Sequence, residues 1–232
     1  MITAVLDKSL DSWVYNEHNP KAFERSRIKP TAERLRLIRQ ARCRWVVFKP
    51  ICDSQNIDRL LADHPGAKAI WIFRRYQDVT NSALRKWGKR QLILIRQAAT
   101  GDDVNNWFVD RMSEERRHLI RELYHEEMSW HTAGALKWYM RNALYFDNGL
   151  DQRPEEVKLV RYEDFVQEPH EQCEAILGFL GLSFNPVYVA DVVDTSIRKE
   201  EFPPIDPRVE RLCEEMTSKL NCALRSISRC HA

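Results

Sequence analysis

KAIWIFRRYQDVTNSALRKW, residues 68–87, joins a buried-strand pattern, a basic turn and the start of a helix. The run Ala69-Ile70-Trp71-Ile72-Phe73 is short, continuously apolar and ended by charge, the pattern of a strand buried on both faces of a parallel sheet. Arg74 and Arg75 follow at its carboxyl end, Asp78 caps or leads the next helix, and Ser82 lies one turn further. A guanidinium, a hydroxyl and free helix amides in that order suit a phosphate. Composition alone fits a strand ending in a solvated arginine pair equally well.

The spacing separates the two readings. Arg74 is followed eight positions later by Ser82, with Asp78 between them, and this resembles the 3′-phosphate motif of sulfotransferases. A second stretch, KLVRYEDFVQEPHEQCEAILGFLGL from Lys158 to Leu182, is similar to that family's strand, Tyr-Glu-Asp turn, proline and helix ending in Leu-Gly-Leu. The resemblance runs from about Tyr15 to Leu182. It departs at Tyr76, where the family usually has proline, so the turn is less rigid.

The resemblance implies an α/β fold: a three-layer parallel sheet flanked by helices, of the P-loop NTPase-like sulfotransferase kind. It further implies one domain over residues 1–232, with a helical acceptor-side insertion at about 83–150. The implied donor is 3′-phosphoadenosine 5′-phosphosulfate (PAPS), with no metal, and the acceptor a hydroxyl or amine of a small molecule or glycan. Arg74 and Ser82 correspond to the residues that hold the donor's 3′-phosphate. Arg198 and Lys199 resemble, faintly, the Arg-Lys-Gly loop that closes on the same phosphate, with Glu200 in place of the glycine.

Length and composition agree with one globular core: 232 residues, 44% of them hydrophobic. A formal net charge of +2 makes bulk attraction of polyanions weak, so an anion site must be local and a nucleic-acid partner is not expected. No apolar run is long enough to span a bilayer, and MITAVLDKSLDSW lacks the pattern of a secretory leader, so the simplest reading is a cytoplasmic protein. Cys43, Cys52, Cys173, Cys213, Cys222 and Cys230 form no C-x-x-C pair or zinc spacing and read as reduced thiols. His118, His125 and His131 are spaced by seven and six residues, which does not stack ligands on successive helical turns.

From the amino terminus, residues 1–12 read as a helix with Ile2, Val5, Leu6 and Leu10 on one stripe, before a strand at Trp13-Val14-Tyr15. Polar Asn16-Glu17-His18-Asn19-Pro20 then stands where parallel α/β sheets hold their ligands. In the family a Glu here serves as the acceptor's base, which implies that role for Glu17, with His18 the neighbouring alternative. Thr31 begins a helix with Leu35, Ile38 and Arg42 at helical spacing, and the basic run around it reads as a solvated face. Trp45–Phe48 is the next strand, ended by Lys49 and Pro50. In the resembling enzymes a lysine at this point neutralises charge on the leaving phosphate, and many carry a histidine two residues on, where this chain has Ile51.

Beyond the opening stretch the pattern predicts one helix to about Ala99, a break at Thr100–Asp103, and a long helical segment through Tyr124, Trp130, Trp138 and Tyr145. A strand at Val157–Val160 follows, then the Tyr162-Glu163-Asp164 turn, read as structural. A last amphipathic helix carries Val209, Leu212, Met216 and Leu220. The glycine-containing loop by which sulfotransferases bind the 5′-phosphosulfate has no counterpart in this sequence, so the expectation is a chain lacking the first strand and phosphate loop. Two functions remain in play: a sulfotransferase, and a non-catalytic nucleotide-binding module of the same fold. A nucleotide kinase is disfavoured by the missing Walker lysine motif.

Overall fold

The computed structural model describes residues 1–102, 106–193, 197 and 200–230, the last four of these as backbone only. In chain order the elements are α1 (Ile2–Asp7), β1 (Ser12–Tyr15), β2 (Phe23–Glu24), β3 (Arg27–Ile28), α2 (Thr31–Gln40), β4 (Trp45–Phe48), α3 (Ile57–Ala62), β5 (Ala69–Phe73) and α4 (Tyr76–Trp87). They continue with α5 (Arg90–Thr100), α6 (Glu114–Leu123), α7 (Trp130–Asp147), β6 (Val157–Arg161), α8 (Tyr162–Gln167), α9 (Pro169–Leu180) and α10 (Pro207–Cys230). The class is α/β with parallel strand pairing. β1 runs beside β4 from Ser12↔Trp45 to Tyr15↔Phe48, and β5 beside β6 from Ala69↔Val157 to Phe73↔Arg161. A short antiparallel pair, β2 with β3, completes the ladders among the described residues.

Internal contacts divide the chain into two compact units, Met1–Lys68 with Asp164–Asp194, and Ala69–Glu163 with Thr195–Ala232. In the first, Tyr15, Ala22, Phe23 and Leu37 form a core closed by half-buried Ile28, Val46 and Phe48. The Tyr15 and Phe48 rings, opposite each other at the strand ends, stack at 5.5 Å. Helix α9 begins with proline in its first turn and stops at Gly181, whose φ of 66° is costly for any residue with a Cβ. The Leu182 amide then donates back to the Leu177 carbonyl at 2.8 Å, so the Leu-Gly-Leu signature is a helix stop.

Two expectations for this unit are corrected. Helix α1 ends at Asp7, and Leu10 is 96% exposed instead of continuing the apolar stripe. Thr31 does not cap α2; Pro30 holds that position, and the Thr31 hydroxyl donates to Asp63 Oδ2 at 2.8 Å. The inner face of α2 is Arg34 and Leu37, and Arg42 lies past the helix end. Arg34 is buried because its fork is filled: it donates to His64 Nε2 (3.1 Å), the Lys29 carbonyl (2.8 Å), Thr31 Oγ1 (2.9 Å) and Asp63 Oδ2 (2.8 Å).

In the second unit the predicted single helix to Ala99 is two. Gly88, at φ 53°, ends α4 and lets α5 restart at Arg90. α4 and α7 pack so closely that a Cβ at Gly134 would stand 2.5 Å from Thr80 Cγ2. α10 buries Val209, Cys213, Met216 and Leu220, leaving Leu212 half-buried. β5 is not buried on both faces: Ile70 and Trp71 are half-buried and Ile72 is 44% exposed, because β6 is its one strand neighbour among the described residues. No described helix is long and apolar enough to cross a membrane. The thiols of Cys43, Cys52, Cys173, Cys213 and Cys222 are unbridged.

Candidate functional site

Parallel pairing brings the carboxyl ends of two strands side by side, and in each unit that edge collects charge. In the first unit the Lys49 amide donates to the Tyr15 carbonyl at 3.0 Å, extending the β1–β4 register by one residue. Glu17, two residues beyond Tyr15, is thereby set against Lys49: Nζ lies 3.1 Å from Oε2 and 3.3 Å from Oε1. Asn16 fixes the turn, its Oδ1 accepting the His18 amide at 3.3 Å and its carbonyl the Asn19 amide at 3.0 Å. The Glu17 side chain is 13% exposed and Lys49 38% exposed, whereas His18 is 72% exposed, with Nε2 3.9 Å from Glu17 Oε1.

Burial pushes the Glu17 carboxyl up. Hydrogen bonding to its own backbone, the Lys49 ammonium and His18 pull it down further, leaving it below the ordinary glutamate value. Glu17 is therefore an ionised, half-enclosed carboxylate at neutral pH, with one flank toward solvent-exposed His18. Such a group can accept a proton, and the ammonium beside it can meet an anion.

In the second unit the Phe73↔Arg161 register places Arg74 beside Tyr162. The Arg74 guanidinium lies over the Tyr162 ring, 4.4 Å from its centroid, and Nη2 is 3.9 Å from Asp78 Oδ2. Its backbone is pinned too, since Trp138 Nε1 donates to the Arg74 carbonyl at 2.8 Å. Asp78 does not cap α4; it sits buried in the first turn. The capping acceptor is Glu163, buried on α8, whose Oε1 receives the Arg75 amide at 3.0 Å while Oε2 stands 3.6 Å from Arg161 Nε. Ser82 is half-buried on α4, and its hydroxyl makes no hydrogen bond among the described residues.

Glu17, His18 and Lys49 are thus together in the first unit, while in the second Arg74 ends the β5 side of the turn and Ser82 lies midway along α4. Arg198 and Lys199 lie outside the described residues. Tyr162 and Glu163 were absent from the sequence-derived site, although the Tyr-Glu-Asp turn that carries them was visible; their contacts depend on the β5–β6 register. Among the described residues no three His, Cys, Asp or Glu side chains gather as a metal site requires.

No family model and no curated protein matches this chain. Similar solved structures include the sulfotransferase domain of the Synechococcus PCC 7002 olefin synthase, at 17% identity and TM-score 0.49, covering 81% of this chain and 63% of that one. The chain thus spans less than two thirds of that structure's length. Others are a sulfotransferase domain from the curacin biosynthetic pathway (15% identity, TM-score 0.47, 79% of this chain and 67% of that one) and a sulfotransferase from Alicyclobacillus acidocaldarius (18%, 0.47, 97% and 89%).

Proposed function

We propose that this chain transfers a sulfuryl group from PAPS to a hydroxyl or amine of a small-molecule or glycan acceptor. The observation that carries this reading is the Glu17–Lys49 pair: a base and a cation in contact at the carboxyl ends of parallel strands. When bound, the donor supplies an electrophilic sulfur whose bond to the nucleotide's 5′-phosphate breaks as the acceptor's oxygen or nitrogen bonds to it. Glu17 takes the acceptor's proton, for which its lowered pKa keeps it ready at neutral pH. Lys49, in turning from Glu17 to the departing phosphate, offsets the charge that develops there and frees the carboxylate.

The residues of the second unit, taken by themselves, suit a nucleotide's 3′-phosphate. Arg74 is held flat on Tyr162, and the Ser82 hydroxyl has no partner among the described residues to give up. Both can therefore bind with little reorganisation. Arg198 and Lys199 are proposed for the same phosphate on the sequence resemblance alone.

The test is turnover of PAPS to 3′-phosphoadenosine 5′-phosphate with a panel of phenols, amines and sugars. Glu17→Gln is expected to lower turnover about a hundredfold or more while nucleotide affinity stays nearly unchanged. Unaltered turnover in that variant, with loss in His18→Ala, transfers the base to His18. Nucleotide binding without turnover on any acceptor favours a binding module of the same fold.

A further inference from the structure

The second unit contains a cavity of about 600 Å³ at the start of α4, whose lining includes neither Arg74 nor Ser82. Its apolar wall includes Tyr76 and Phe202, whose rings meet edge to face at 5.7 Å. Tyr76 is fixed by its hydroxyl, which donates to Glu214 Oε1 at 3.2 Å. Its charged lining is Arg75, Asp78, Glu200 and Glu210.

Most of that charge is already cancelled inside the protein. Asp78 faces Arg74, and Glu200 pairs with Arg85. Two groups are left over. The Arg75 guanidinium has no ion-pair partner among the described residues, and its Nη1 is buried without a hydrogen-bond acceptor. Glu210, in the first turn of α10, likewise pairs with no cation among the described residues. A charged group short of acceptors is costly, and Arg75 lines the cavity, where a ligand can bring an acceptor to its guanidinium.

We propose that this cavity binds a zwitterion with an aryl body, its carboxylate, sulfate or phosphate on Arg75 and its ammonium on Glu210. Arg75 supplies a planar fork for an oxyanion. Glu210 supplies a negative charge with no cation partner among the described residues, so a purely anionic ligand meets it unfavourably and a purely cationic one meets Arg75. The aryl group lies against Phe202 and Tyr76, where offset and edge-on ring contacts are favourable. Arg75 and Glu210 form no ion pair with each other among the described residues, so both are available to a ligand that bridges them. The inference is independent of the sulfuryl-transfer reading, which uses Arg74 and Ser82.

Calorimetric titration of the full chain tests this with two zwitterions of different charge spacing, L-phenylalanine and 4-(aminomethyl)benzoate. Each is compared with its half-charged analogues: 3-phenylpropionate and 2-phenylethylamine for the first, benzoate and benzylamine for the second. At least one zwitterion is expected to bind about tenfold or more tightly than both of its analogues. Glu210→Gln, a change at an exposed side chain, should reduce that zwitterion to the affinity of its anion-only analogue, and Arg75→Gln to that of its cation-only analogue. Failure of both zwitterions to bind, equal affinity for the analogues, or affinity unchanged by Glu210→Gln overturns the proposal. The Glu210 result decides even where Arg75→Gln lowers the melting temperature.

Discussion

Arg74 and His64 illustrate how far a single residue's chemistry depends on what surrounds it. Arg74 could have been a solvated surface charge, but the ring of Tyr162 under it and Asp78 beside it hold its fork in one orientation. If that fork receives the 3′-phosphate, Arg74→Ala should weaken binding of 3′-phosphoadenosine 5′-phosphate by about 1.5 to 3 kcal/mol in calorimetry, the range for a charge-assisted hydrogen bond. Equal affinity in wild type and variant would remove Arg74 from the site. His64 carries no catalytic proposal, yet its titration should be readable in stability. It accepts from Arg34 Nε at 3.1 Å, which requires an unprotonated Nε2, and burial and the Arg34 charge outweigh Asp63 in lowering its pKa from 6.5. A histidine with a lowered folded pKa binds its proton more readily when unfolded. Its contribution is therefore full above about pH 6.5 and lost as pH falls through the lowered value. Melting temperature should drop between pH 7 and about pH 5, and His64→Gln, which retains an acceptor without titrating, should flatten that drop. The same slope in both proteins would mean that other groups set it.

Between α4 and α7 the packing tolerates no added atom at Gly134. A methyl there would stand 2.5 Å from Thr80 Cγ2, with Thr80 itself 1% exposed and unable to move aside. Gly134→Ala should cost about 1 to 3 kcal/mol by overpacking, despite alanine's better helix propensity, and Thr80→Ala in the same chain should restore part of the loss. Gain of stability in the single variant, measured by urea unfolding, would show that the helices separate easily. Element boundaries show where the sequence is informative. Trp45–Phe48 and Ala69–Phe73 were legible as strands because each is an apolar run ended by charge, and the Leu180–Leu182 helix stop because glycine at positive φ is local chemistry. The split at Gly88 was missed because the apolar spacing continues across it and one glycine weakens a helix without forbidding it. Arg34 facing inward was missed for a different reason. Its partners His64 and Asp63 come from a segment about thirty residues away, so no local pattern announces them. The Glu17–Lys49 contact likewise exists only through the β1–β4 register; the residues were legible as candidates, their pairing was not.

Over the whole molecule, the described strands pair in twos, so each parallel pair presents backbone edges with no strand beyond them. Parallel strands are ordinarily interior, covered by neighbours and helices on both faces, and their apolar sequences reflect that. Here the apolar sequence is present without the full cover: Trp13 on β1 is 57% exposed, Ile72 on β5 is 44% exposed, and every residue of β4 is half-buried. Exposed apolar strands with open edges recruit other strands, since pairing satisfies backbone groups and removes apolar surface together. The chain alone in solution is therefore expected to associate as its concentration rises. Sedimentation velocity over a tenfold or wider concentration range should show the weight-average coefficient climbing. Replacing Trp13 and Ile72 together by lysine puts a charge on each strand where the side chain already reaches solvent, so the fold should be retained and the climb suppressed. A wild-type chain that stays monomeric throughout, or a double variant that associates as strongly, would mean that the open edges are guarded by something other than their side chains.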